Sequence, residues 1–240
     1  EAQAKSTLQY RLALTLEQMG ADSSRLPHPS METLESGSAA VLLAAAQREQ
    51  NRNPELALAA AERAFARDPW GPYAGDILVI LAELHTAANR RSEAIVAWSK
   101  LAETFPTHEA AATARLRQGD LERERGAFDA AIEAYRAVLQ VRQWRGPAWA
   151  EANFKIGLTH FEQGDFAAAF GFSQRVYVLY AGVENWAAEA YLVSGMALEQ
   201  MNRSGDAIAT YRELLADDRL ADEPAAKRVR ERLEALGGVS

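Results

Sequence analysis

Apolar positions recur at three- and four-residue spacing through four long stretches of this chain. They are YAGDILVILAELHTAA (73–88), EAAATARLRQGDLERER (109–125), PAWAEANFKIGLTHFEQ (147–163) and WAAEAYLVSGMALEQM (186–201). That spacing predicts amphipathic helices, because residues three and four apart share a helix face. Five further segments interleave with these: NRNPELALAAAERAF, NRRSEAIVAWSKLAE, GAFDAAIEAYRAVLQ, GDFAAAFGFSQRVYV and NRSGDAIATYRELLA. Each opens on Gly or Asn and soon reaches a small residue. No strands are predicted.

The opening residues Asn51, Asn89, Gly126, Gly164 and Asn202 lie 38, 37, 38 and 38 residues apart. The small residues Ala57, Ala94, Ala131, Ala169 and Ala207 lie 37, 37, 38 and 38 apart. Gly and Asn best tolerate the left-handed conformation that ends a helix. A fixed small residue soon afterwards marks a close approach of two helix backbones. Each unit therefore reads as helix, tight turn, helix, and the chain as a repeat. Pro72 and Pro147 suit a first helical turn, Thr107 and Asn185 read as N-caps, and Asp68-Pro69 and Phe105-Pro106 end the preceding second helices.

At these residues the chain resembles the tetratricopeptide repeat family. The matches are Ile156-Gly157 in a first helix, Gly164 at a turn, and Ala131-Ile132 with Tyr135 and Ala207-Ile208 with Tyr211 in second helices, with Ala64 and Pro69 at the later small residue and closing proline. The resemblance covers residues 38–223 in five units and implies an all-α, right-handed solenoid of helix hairpins. The period exceeds the usual ~34 residues by about one turn of 3.6 residues, which lengthens a helix while keeping its apolar face in phase. Long units of this kind look like the repeats of bacterial envelope proteins, such as the Tol-Pal-associated periplasmic repeat protein and the lipoprotein of the outer-membrane β-barrel assembly machinery.

The ends differ from the repeats. Residues 1–37 are expected to form a helix over 2–19, ending at Gly20, and then a polar loop, ADSSRLPHPSMETLESGS, in place of a second helix. The chain opens on Glu1, as expected of a processed or trimmed chain. Residues 224–240 are expected to supply a capping helix that turns Val229, Leu233 and Leu236 inward and closes at Gly237-Gly238, since a solenoid needs a polar-backed terminal helix.

In the family the first helices line a concave groove. The resemblance places Val79 and Glu83 on its ligand-facing stripe, then Leu116, Asp120 and Arg123, then Phe154, Leu158 and Phe161, then Leu192, Met196 and Glu199. The stripe changes from mixed and acidic to apolar, which suits an amphipathic helix or an extended peptide with apolar anchors. It lacks the Lys and Asn side chains of the family's carboxylate-clamping subclass. The alternative is that the C-terminal helix, or a tightened superhelix, already covers the apolar ones.

Aromatic residues concentrate in one region: 11 of the 20 lie between Trp144 and Tyr191. In GDFAAAFGFSQRVYVLY, Phe166, Phe170, Val176 and Tyr177 fall where sister helices also place apolar side chains. Phe172, Val178 and Tyr180 are surplus, standing where the preceding repeat has Ala134, Gln140 and Arg142. Either long helices wrap them, or they form a second interface through which the chain self-associates or contacts the rest of a larger protein.

Composition narrows the function. The net charge of −7, with Glu, Asp and Met in the stripe, argues against a nucleic-acid partner. No apolar run approaches the ~20 residues of a membrane span. The absence of cysteine removes disulfides and thiolate chemistry and fits an oxidising compartment. Of the histidines His28, His85, His108 and His160, no two have metal-ligand spacing, and His85 and His160 occupy equivalent packing positions. Asp217-Asp218 and the Glu122-Arg123-Glu124-Arg125 run read as solvated surface. The expectation is a non-enzymatic scaffold without cofactor or metal that binds a protein or peptide. Its expected setting is the bacterial periplasm or cell envelope, with the cytoplasm as the alternative.

Overall fold

Four of the five punctuating residues adopt a left-handed backbone, with φ of 56° at Asn89, 79° at Gly126, 81° at Gly164 and 58° at Asn202. Each closes its helix with the same pair of hydrogen bonds. At the first, Arg90 N donates to His85 O at 2.8 Å and Asn89 N to Thr86 O at 3.0 Å; at the last, Arg203 N donates to Leu198 O and Asn202 N to Glu199 O, each at 2.9 Å. These are the crossed bonds that satisfy the last carbonyls of a helix. Asn51 does not take this conformation. Asn53 caps the next helix there, accepting from Leu56 N at 3.2 Å just before Pro54.

The computed structural model describes Pro29 and residues 31–237. The expected helix over 2–19, the closing Gly20, His28 and Gly238 lie outside the described residues. Within the described part are twelve α-helices and, among those residues, no strand. In chain order they are α1 Met31–Ser36, α2 Ala39–Glu49, α3 Pro54–Arg67, α4 Ala74–Ala87, α5 Arg91–Thr104, α6 Ala111–Glu124, α7 Phe128–Gln140, α8 Pro147–Glu162, α9 Phe166–Leu179, α10 Glu184–Gln200, α11 Ser204–Ala216 and α12 Pro224–Ala235. The chain is an all-α solenoid of helix hairpins. The described residues divide into two compact units, one up to Ala114 and one from Arg115.

In the first unit, α2 packs on α3 and α4 on α5 as antiparallel hairpins, with α3 against α4. Ala57 and Ala94 are fully buried at the helix crossings. The polar loop expected over 21–38 contains helix α1. Arg67 of α3 donates to the carbonyls of Glu35 and Gly37, tying the end of α1 to α3. Thr107 is not an N-cap, because α6 starts later, at Ala111. The intervening turn is held on α4 instead: His108 Nε2 lies 3.2 Å from Asp76 Oδ1, and His108 Nδ1 accepts from Ala110 N at 3.1 Å.

In the second unit, α8 packs against α7, α9 and α10, and α10 against α9 and α11. Ala131, Ala169 and Ala207 are fully buried at the hairpin crossings. Asn185 sits inside the first turn of α10, whose N-cap is Val183. Helix α12 lies against α10 and α11, burying Val229 and Leu233 and half-burying Leu236.

Candidate partner-binding face

The nine stripe residues of the second unit form three rows of 38-residue spacing across α6, α8 and α10. The rows are Leu116–Phe154–Leu192, Asp120–Leu158–Met196 and Arg123–Phe161–Glu199. The first row is core, only 4%, 7% and 3% exposed. Phe154 stacks on Trp186 with ring centroids 5.1 Å apart and packs among Ala150, Ala190 and Val193. The other rows lie one and two turns nearer the helix C-termini and are half-buried.

The charged members of those rows are engaged inside the protein. Asp120 accepts from Lys155 Nζ at 2.6 Å on each oxygen and from the Tyr135 hydroxyl at 2.9 Å. Glu151 also faces the Lys155 ammonium, at 3.2 Å. Arg123 pairs with Glu162 at 2.6 Å. Burial opposes the Arg123 charge, but Glu162 and Tyr135 outweigh it and its pKa rises. Glu199 accepts from Arg232 at 3.0 and 3.1 Å and from the Tyr211 hydroxyl. Burial, and then the adjoining carboxylates Asp120 and Glu199, push the Tyr135 and Tyr211 phenols far up.

Third and fifth repeats thus share one device. A tyrosine of the second helix packs against a glycine of the first and donates to an acid that also binds a cation of the helix following the hairpin. Glycine is required: a Cβ on Gly119 would meet Tyr135 Cε1 at 2.3 Å, and one on Gly195 would meet Tyr211 Cε1 at 2.1 Å.

The fourth repeat breaks the device. Ser173 holds the tyrosine position, 38 residues from each of its counterparts, and its buried hydroxyl has no hydrogen-bond partner. Among the described residues no ion pair joins α8 to α10, whereas α6–α8 and α10–α12 are each ion-paired. Between those two polar rungs lie Leu158, Phe161 and Met196, all half-exposed. Phe161 packs edge-on against Phe166 at 5.4 Å. The structure therefore turns nine stripe residues into three core, three ion-paired and three available apolar side chains.

The other two predicted stripe residues lie in the first unit, Val79 half-buried and Glu83 exposed, with Gln50 Nε2 donating to Glu83 at 3.0 Å.

The surplus residues of the aromatic helix sit in different surroundings. Phe172 packs into the cluster around Tyr135 and Ile156, stacked on His160 at 5.5 Å beneath the Arg175 guanidinium at 4.6 Å. Tyr180, just past α9, packs on the cluster around Phe154 and Val176. Val178 is 62% exposed, and so is its neighbour Leu179, at 66%. Both ring nitrogens of His160 are buried without a hydrogen-bond partner. Burial lowers the His160 pKa, the Asp165 carboxylate 3.8 Å away opposes that, and Arg136 adds to it.

Sequence reasoning missed Lys155 and Leu179. The first is set by contacts across successive first helices, and only the repeat offset could have paired Asp120 with Lys155. Among the described residues, no three His, Asp or Glu side chains are grouped to hold a metal. No described helix is long and apolar enough to cross a membrane.

Comparison with known proteins agrees with this fold. A tetratricopeptide repeat family model matches residues 101–147 and 116–184, and a second matches residues 188–216. No curated protein sequence matches significantly. Among solved structures, MamA is 16% identical with a TM-score of 0.61, over 85% of this chain and 96% of that one. PilW, a type IV pilus biogenesis factor, is 18% identical with a TM-score of 0.58, over 94% and 98%. PilF of Pseudomonas aeruginosa is 14% identical with a TM-score of 0.58, over 97% and 100%. These likenesses are likenesses of fold. Tetratricopeptide repeats are scaffolds for protein–protein interaction, so the partners they imply are proteins. The repeat models match residues 101–184 and 188–216, and with the turns and helix crossings in place there they support a tetratricopeptide repeat protein.

Proposed function

We propose that this chain is a non-catalytic scaffold that holds a helix or extended segment of a partner protein on the first-helix face of its second unit, within a bacterial cell envelope. One observation carries the reading. Leu158, Phe161 and Met196 stay half-exposed between two ion-paired rungs whose charges are already neutralised within the protein. A partner is therefore bound by apolar anchors, each large side chain contributing up to about 1.5–3 kcal/mol on full burial. The flanking ion pairs set the edges of the site.

The envelope setting is supported by the fold likeness to PilW, a type IV pilus biogenesis factor, and by the lack of cysteine. The test is selection of helical peptides on the wild-type chain, followed by affinity measurement on Phe161→Glu. This residue is a better probe than Phe154, which is buried against Trp186. The expected loss is at least about tenfold, or roughly 1.4 kcal/mol. Unchanged affinity, with the helical signal intact, would place binding elsewhere.

A further inference from the structure

The first unit carries an apolar pocket of about 380 Å³. Its floor is Phe65, Leu78, Leu81 and Ala97, and its rim is Val96, which is 65% exposed, with Glu93 and Lys100 on either side. A cavity of about 150 Å³ takes one benzene ring, so this pocket accepts two branched side chains. The second unit presents such a pair at the end of α9, Val178 and Leu179. Buried hydrophobic contacts are the main drive to association, and both surfaces are open.

The charges flanking the two surfaces are complementary. Glu93 precedes Val96 by three residues, and Arg175 precedes Val178 by the same three. With α9 laid parallel to α5, Arg175 faces Glu93 as Val178 faces Val96. The structure gives Glu93, Lys100 and Arg175 no ion pair among the described residues: Lys100 rests on the Phe65 ring at 4.4 Å and Arg175 on Phe172.

We propose that the chain associates head to tail with a second copy of itself, the Val178–Leu179 tip of one molecule entering the Val96 pocket of the next with Arg175 against Glu93. Tip and pocket are different surfaces, so the contact is heterologous and propagates unless its rotation closes a ring. It uses neither Leu158, Phe161 nor Met196.

Sedimentation velocity on the full chain tests this. Wild-type mass should rise with concentration, whereas Val178→Glu and Val96→Glu should each remain monomeric. Both positions are exposed, so helical content should be unchanged. The first variant keeps an intact pocket and the second an intact tip. Their equimolar mixture should therefore form a one-to-one dimer and nothing larger. Glu93→Arg should block assembly, and adding Arg175→Glu in the same chain should restore it. A wild-type chain monomeric up to about 1 mM, where even weak contacts are populated, would overturn the proposal. So would variants that assemble as the wild type does, or a mixture that yields no dimer.

Discussion

Removing the Lys155 ammonium tests whether the polar rung between α6 and α8 is scaffolding. The side chains of Lys155 and Asp120 are only 11% and 14% exposed, so solvent screens their attraction little. Breaking a buried pair by deleting one partner costs roughly 3–5 kcal/mol. In Lys155→Met, Asp120 keeps the Tyr135 hydroxyl at 2.9 Å and Arg117 at 3.6 Å. The expected loss is therefore at the lower end, about 3 kcal/mol. In Asp120→Leu/Lys155→Met both charges go, and a well-packed apolar replacement is often neutral or better. The Tyr135 hydroxyl then loses its acceptor, at a cost of roughly 1–3 kcal/mol, so the double variant should lie between the wild type and Lys155→Met. Urea unfolding followed by circular dichroism reads this directly. With a slope of about 2 kcal/mol/M, the single variant should shift its midpoint by about 1.5 M. A shift below about 0.25 M for Lys155→Met, or a double variant as unstable as the sum of the two singles, would refute the reasoning.

Three further outcomes follow from named contacts. Gly195→Ala should destabilise by roughly 1–3 kcal/mol through overpacking against Tyr211, although alanine favours the helix by up to about 1 kcal/mol; thermal unfolding measures the net. Asn202→Ala should cost roughly 1–2 kcal/mol because φ there is 58°, while Asn202→Gly should cost little, and a common loss in both would point to the side chain instead. His160 has a folded pKa below its ordinary value of about 6.5 because of burial, so the unfolded chain binds more protons. Stability should be full above that ordinary value and fall as pH drops through the window below it. His160→Gln should flatten that slope in pH-dependent urea midpoints, and an unchanged slope would assign it to other groups.

The turns were legible in the sequence because their requirement is local. A left-handed residue must be Gly or Asn at little cost, and Asn89, Gly126, Gly164 and Asn202 meet it. Asn51 has the right identity and spacing, yet the cap at Asn53 and the proline after it replace the left-handed turn. Thr107 failed as an N-cap because His108 binds Asp76 of α4, a contact 32 residues away in sequence. The stripe was legible in position but not in depth. Its 38-residue rows come from the repeat, whereas Phe154 is buried by Trp186 and Ala190 of the following hairpin. Likewise Asp120 and Glu199 looked like ligand-facing acids, and only the packed helices bring Lys155 and Arg232 to them. The apolar window is a departure from the repeat: where Tyr135 and Tyr211 anchor ion-paired rungs, Ser173 anchors none.

The most direct measurement uses the four methionines of the chain. A chain carrying carbon-13 methionine methyls would be titrated with a helical peptide selected on it and followed by methyl NMR. The Met196 signal should move in proportion to bound peptide, and the Phe161→Glu variant should abolish that movement. A peptide that binds while Met196 stays still would contradict a partner site between α8 and α10.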